Sequence, residues 1–133
     1  MSLIAKARST YARRSYDPLA RPVLVVEDDA GLRTYMVAVL ERHGYRVIAA
    51  ESGEEALRLL DGPPAQFAVL DVGLPGMDGF AVAEQLEEGV PVIIVTGDPV
   101  QAYARASEQH LNYQVLPKAV MPELFESAVA AVA

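Results

Sequence analysis

Four short runs of branched, apolar residues stop abruptly at polar groups. Val23 to Val26 ends in Glu27-Asp28-Asp29, Phe67 to Leu70 in Asp71, and Val92 to Val95 in Thr96; Val115-Leu116 is followed by Pro117 and Lys118. A strand with one face in water alternates apolar and polar residues, whereas these runs are apolar throughout, as strands covered on both faces are. They therefore predict a buried parallel sheet whose strands deliver polar side chains to one edge. Carboxylates, a hydroxyl and an ammonium gathered there make a place for a divalent cation and a phosphoryl group.

Between the runs lie helical patterns, so that strand-like and helix-like stretches alternate about every 20 to 25 residues from Pro22 onward. Gly31 to His43 puts Leu32, Met36, Val39 and Leu40 on one face, and Gly44 stops the helix. Tyr45 to Ala50 is the second strand. Ser52 and Glu55 form a capping box for a helix carrying Ala56, Leu59 and Leu60, which Gly62-Pro63-Pro64 ends. Phe67 to Asp71 is the third strand and Phe80 to Glu87 the next helix. Val90 to Thr96 is the fourth strand, and Pro99 suits the first turn of a helix through His110. Tyr113 to Leu116 is the fifth strand, and Pro122 opens a last helix to Val132. Five strands and five helices in strict alternation describe an α/β, doubly wound sheet, which binds ligands beyond the carboxyl ends of its strands.

At 133 residues the chain is sized for one ordinary domain, and no apolar run approaches the roughly 20 residues of a membrane helix. It has no cysteine, which excludes disulfides, thiolate metal sites and cysteine nucleophiles and fits a reducing compartment; the expected location is cytoplasmic, with no membrane partner. Charge is unevenly distributed. Lys6, Arg8, Arg13, Arg14 and Arg21 against Asp17 alone give the first 22 residues +4, so the rest carries −11 of the net −7. An acidic body is repelled by nucleic acid, and direct nucleic-acid binding is not expected. Residues 1–21 fall outside the alternating pattern and read as a basic arm or linker before a domain spanning 22–133.

Carboxylates bunched as Glu27, Asp28 and Asp29 repel one another unless a cation lies between them. Mg2+ takes six oxygens at about 2.1 Å, which two carboxylates, a main-chain carbonyl, a phosphate oxygen and water can complete. Asp71 could cap a helix, but the glycines at 73, 76 and 79 let the backbone approach a ligand, and Asp71 is expected to have the exposure of a nucleophile that holds a phosphoryl group as an acyl phosphate. Thr96 could cap the following helix or grip a phosphoryl oxygen. Lys118, the only lysine after Lys6, supplies a compact positive charge at the same edge. His43 and His110 lie near predicted helix ends and read as structural.

Taken together, Val25-Val26-Glu27-Asp28, Asp71-Val72-Gly73-Leu74-Pro75-Gly76-Met77-Asp78-Gly79, Thr96-Gly97 and Pro117-Lys118 resemble the receiver domain of two-component response regulators, over Arg21 to Ala133. The resemblance implies a flavodoxin-like receiver fold with strand order 2-1-3-4-5. It implies that Asp71 takes a phosphoryl group from a histidine kinase or histidine phosphotransfer protein. Mg2+ would be held by Asp28, Asp71 and the Gly73 carbonyl, with Glu27 acting through water and Asp29 only in support. Thr96 and Lys118 would grip the phosphoryl oxygens, and the change would be read on the fourth helix, fifth strand and fifth helix.

Two positions depart from that family's pattern. The aromatic switch residue usual three places before the lysine is replaced by Val115, with Tyr113 two residues earlier on the same strand face; and proline precedes the lysine as Pro117 instead of following it. These departures suggest the alternative of a receiver-like scaffold that is never phosphorylated. An enzyme is not expected: a phosphatase of the haloacid dehalogenase kind wants a second aspartate two places after the nucleophile, where this chain has Gly73. Met121 to Ala133 has few polar side chains, which predicts a contact face, either in a homodimer through the fourth and fifth helices or beneath the arm.

Overall fold

The computed structural model describes residues 21–60, 64–109 and 112–132. The expectations for residues 1–20, for the helix stop at Gly62-Pro63 and for His110 lie outside the described residues. Within them the chain alternates β1 (Val23–Val26), α1 (Ala30–Arg42), β2 (Val47–Ala50), α2 (Gly53–Leu59), β3 (Phe67–Asp71), α3 (Gly79–Gln85), β4 (Val92–Thr96), α4 (Pro99–Glu108), β5 (Tyr113–Pro117), a 3-10 turn (Lys118–Val120) and α5 (Phe125–Val132). All strand pairs are parallel and the order is β2-β1-β3-β4-β5, as the resemblance implied.

The apolar runs are apolar on both faces because both are covered. Leu24, Val26, Ala68, Leu70 and Ile94 pack with Ala56, Phe80, Val82, Ala102 and Ala106 under α2, α3 and α4. Their alternating neighbours Val23, Val25, Val69, Ile93 and Val95 pack with Met36, Val39, Leu40, Phe125 and Val129 under α1 and α5. Period-two alternation thus divides each strand between two apolar layers.

Several boundaries differ from expectation, each because a local hydrogen bond wins. The Tyr45 N–H returns to the Leu40 carbonyl, so β2 begins only at Val47. The Val90 N–H closes a turn onto Glu87, which delays β4 to Val92, and Leu86 is already extended, which ends α3 at Gln85. The last helix was expected from Pro122. Instead Met121 donates to Lys118 and Phe125 to Pro122, three-residue closures that keep the segment coiled tightly until α5 starts at Phe125. Gly44, with φ +86°, ends the first helix as expected. No helix among the described residues is long and apolar enough to cross a membrane.

Candidate functional site

Register brings the acids together. Val26 pairs with Leu70, so the next residues along, Glu27 and Asp71, stand side by side where β1 and β3 end; Asp71 in turn pairs with Val95, next to Thr96. One carboxylate oxygen from each of Glu27, Asp28 and Asp71 lies within 4.8 Å of the others. Lys118, the first residue of the turn after β5, extends Nζ to 3.1 Å from Asp71 Oδ2 and 3.9 Å from Glu27 Oε1. The Gly73 N–H donates to Asp71 Oδ1 at 3.0 Å.

Asp71 is not open in the way the sequence suggested. It is 2% exposed, because Gly73 takes one carboxylate oxygen and Lys118 the other. The Lys118 side chain is itself 39% exposed, so the group covering Asp71 is one that can move aside. Glycine also has a different role here from the one expected. A Cβ on Gly79 would lie 2.5 Å from the Asp71 carbonyl oxygen, so that glycine admits the backbone of Asp71 and not a ligand.

Glu27 is fully buried; its Oε2 accepts from the Asp29 N–H at 3.2 Å, whereas Oε1 has no hydrogen-bond partner. Burial, reinforced by the carboxyl of Asp71, pushes Glu27 up to about 8, against the smaller opposing pull of the Asp29 N–H and Lys118. Burial also pushes Asp71 upward, but the neighbouring Glu27 carboxyl, the Gly73 N–H and Lys118 outweigh it and hold its carboxyl below the usual range. Desolvation pulls Lys118 down, and its contacts with Asp71, Glu27 and Asp28 more than reverse that, leaving it firmly cationic. Two carboxyls this close either share a proton or take a cation. An orphaned buried oxygen among three hard carboxylate donors fits Mg2+, which prefers oxygen ligands.

Asp29 does something separate from its neighbours: its Oδ1 accepts from the Gly31 and Leu32 N–H groups and caps α1. Thr96 does not cap the following helix, one of the two roles considered for it. The cap of α4 is Asp98, whose side chain accepts from Gln101, while Thr96 Oγ1 accepts from the Asp98 N–H at 2.9 Å, leaving its hydroxyl hydrogen for another acceptor. Tyr113 sits edge-on to Tyr103 of α4, with ring centroids 6.0 Å apart.

Three contributors were missed by sequence reasoning. Arg33 Nη1 donates to the carbonyls of Glu27 and Asp28; Glu54 Oε1 accepts from the Met77 N–H in the loop after Asp71; and Arg105 pairs with Asp78 while lying over the Phe80 ring. The available signal was position. Arg33 follows the cap by four residues, and helical side chains lean back toward the amino-terminal turn.

Comparison with known proteins gives a consistent picture. A family model described as response regulator receiver domain matches residues 23–130. The transcriptional regulatory protein AfsQ1 of Streptomyces coelicolor is 42% identical over 76 residues, covering 56% of this chain and 34% of that protein. The non-phosphorylated HemR receiver domain from Leptospira biflexa superposes with TM-score 0.75 at 30% identity, covering 85% of this chain and 94% of that one. The receiver domain of the histidine kinase CKI1 from Arabidopsis thaliana, complexed with Mg2+ and BeF3-, superposes with TM-score 0.67 at 23% identity over 84% of this chain and 89% of that one, a likeness of fold. This chain spans about a third or less of the length of the curated relatives it matches.

Proposed function

Because this chain belongs to the response regulator receiver domain family, we propose that it takes a phosphoryl group onto Asp71 from a histidine kinase or histidine phosphotransfer protein and alters its partner-binding surface in response. The observation that carries this reading is the convergence of Glu27, Asp28 and Asp71 within 4.8 Å, with Lys118 Nζ on Asp71 Oδ2.

Asp28, Asp71 and the Gly73 carbonyl would hold Mg2+ directly, and Glu27 through water. Bound there, the ion neutralises the phosphoryl oxygens. The remaining chemistry belongs to the chain. Lys118 gives up Asp71 Oδ2; the freed oxygen forms the new O–P bond as the donor's N–P bond breaks, and that electron pair returns to the imidazole nitrogen. Lys118 then pairs with a phosphoryl oxygen, as does the Thr96 hydroxyl. When Thr96 turns toward the phosphoryl group it loosens its hold on the Asp98 N–H, which lies at the start of α4. Movement of α4 would be passed to Tyr103 and through it to Tyr113 of β5. The domain spans residues 22–133, works in the cytoplasm as a signalling module and not as a conventional enzyme, and meets its partner or a second copy through the fourth and fifth helices.

Addition of Mg2+ and beryllofluoride tests this by amide chemical shifts. Changes centred on Asp28, Asp71, Gly73, Thr96 and Lys118 and extending into α4 support the reading; an unchanged spectrum favours the unphosphorylated scaffold.

A further inference from the structure

In the turn Glu27-Asp28-Asp29 nearly every polar group is held by the protein. The Glu27 N–H donates to the Ala50 carbonyl, Glu27 Oε2 accepts from Asp29, the Asp29 side chain caps α1, and the Asp29 carbonyl accepts from the Arg33 N–H. Two main-chain acceptors remain, the carbonyls of Glu27 and Asp28. Both go to a single nitrogen, Arg33 Nη1, at 2.8 and 3.4 Å. Among the described residues the Asp28 carboxylate alone in this turn accepts no hydrogen bond, and it is one of the three acids that converge.

Arg33 lies in the first turn of α1, one helical turn after the cap, so its side chain leans back over the turn. Despite the acids nearby, it forms no ion pair among the described residues. Its planar guanidinium is spent on main-chain carbonyls instead, which fixes the path of the backbone between β1 and α1. With both carbonyls of the turn on Arg33, the exposed Asp28 carboxylate is the group left to meet Glu27 and Asp71.

We propose that Arg33 is a positioning residue for the divalent cation: by clamping the Glu27 and Asp28 carbonyls it presents the Asp28 carboxylate to the ion. This rests on the Mg2+ reading above. Electrostatics alone argues the opposite sign, since a cationic side chain beside a cation site weakens binding and its removal should tighten it. The direction of the effect therefore distinguishes positioning from bulk charge.

The test is titration of the full chain with Mg2+ alone by calorimetry, comparing wild type, Arg33→Met and Arg33→Lys, with thermal unfolding and amide exchange in parallel. Arg33→Met keeps the apolar stem and is expected to fold, to lose roughly tenfold in Mg2+ affinity, and to exchange its Asp28 and Asp29 amides faster while those of β3 stay protected. Arg33→Lys keeps the charge but not the planar group, and is expected to weaken binding by less. Folded Arg33→Met that binds Mg2+ as tightly as wild type, or more tightly, overturns the inference. If Arg33→Met does not fold, Arg33→Lys decides by the same criterion. Wild type that binds no Mg2+ overturns the Mg2+ reading and this inference together, whereas wild-type binding with an unaffected variant overturns this inference alone.

Discussion

Lys118 Nζ and Asp71 Oδ2, 47 positions apart in the chain, meet at 3.1 Å and close the site from above. The contact makes the lysine a stand-in for the positive charge that arrives with a cation. Lys118→Met removes the only cation paired with the two buried acids among the described residues, leaving Asp71 with an uncompensated charge or a proton. Because the lysine is partly exposed and screened, the metal-free domain is expected to lose about 1 to 2 kcal/mol at pH 7.5. Mg2+ should then stabilise this variant more than it does wild type. Urea denaturation with and without Mg2+ measures both effects; equal Mg2+ stabilisation of the two proteins would contradict the substitution of one charge for the other.

Glu27 sets the pH dependence of the metal-free domain. Its folded value is about 8 against 4.5 in the unfolded chain. Between those values the folded state keeps a proton that the unfolded state has released, so stability falls as pH rises through the window. Asp71, shifted the other way, loses its contribution only as pH falls below its ordinary value of 3.8. From pH 5.5 to 7.5 the loss should be about 2 kcal/mol, several degrees in Tm. Glu27→Gln should remove that slope, raise metal-free stability at pH 7.5 and weaken Mg2+ binding. Thermal scans across the pH range provide the check, and a slope retained in Glu27→Gln would assign it to another group.

Gly79 tests how tightly α3 is seated on the backbone of Asp71. A methyl group there would lie 2.5 Å from the Asp71 carbonyl oxygen and 3.0 Å from its carbon, backbone atoms that cannot yield as a side chain would. Gly79→Ala is expected to cost about 2 to 3 kcal/mol and to reduce Mg2+ affinity as well, because the displaced loop carries Gly73. Denaturant unfolding near the wild-type midpoint would show that the loop accommodates the methyl.

The sheet and its site edge were legible because an apolar run that ends in one acid, with no turn residue before it, leaves that acid few places but the strand terminus. Glu27 and Asp71 sit at such an end, Thr96 closes a run in the same way and Lys118 follows one after Pro117; the structure brings Glu27, Asp71 and Lys118 into contact. Adjacent acids with different work were harder to tell apart. Asp28 and Asp29 are alike in sequence, yet one side chain joins the convergence and the other caps a helix. The closing of Lys118 over Asp71 was likewise invisible, since it depends on a 3-10 turn that no periodicity announces. Arg33 and Arg105 were hidden for a similar reason. Long cationic side chains on helices usually extend into water, and only tertiary geometry turns them onto carbonyls or a ring.

The most direct measurement is intact mass after incubation with acetyl phosphate and Mg2+, for wild type and Asp71→Asn. Wild type should gain one phosphoryl group that is lost on removal of the donor and is labile to base, as an acyl phosphate is; Asp71→Asn should gain none, and neither protein should react when Mg2+ is chelated. An unmodified wild type, or a variant labelled as fully as wild type, would contradict the assignment of Asp71 as the phosphoacceptor.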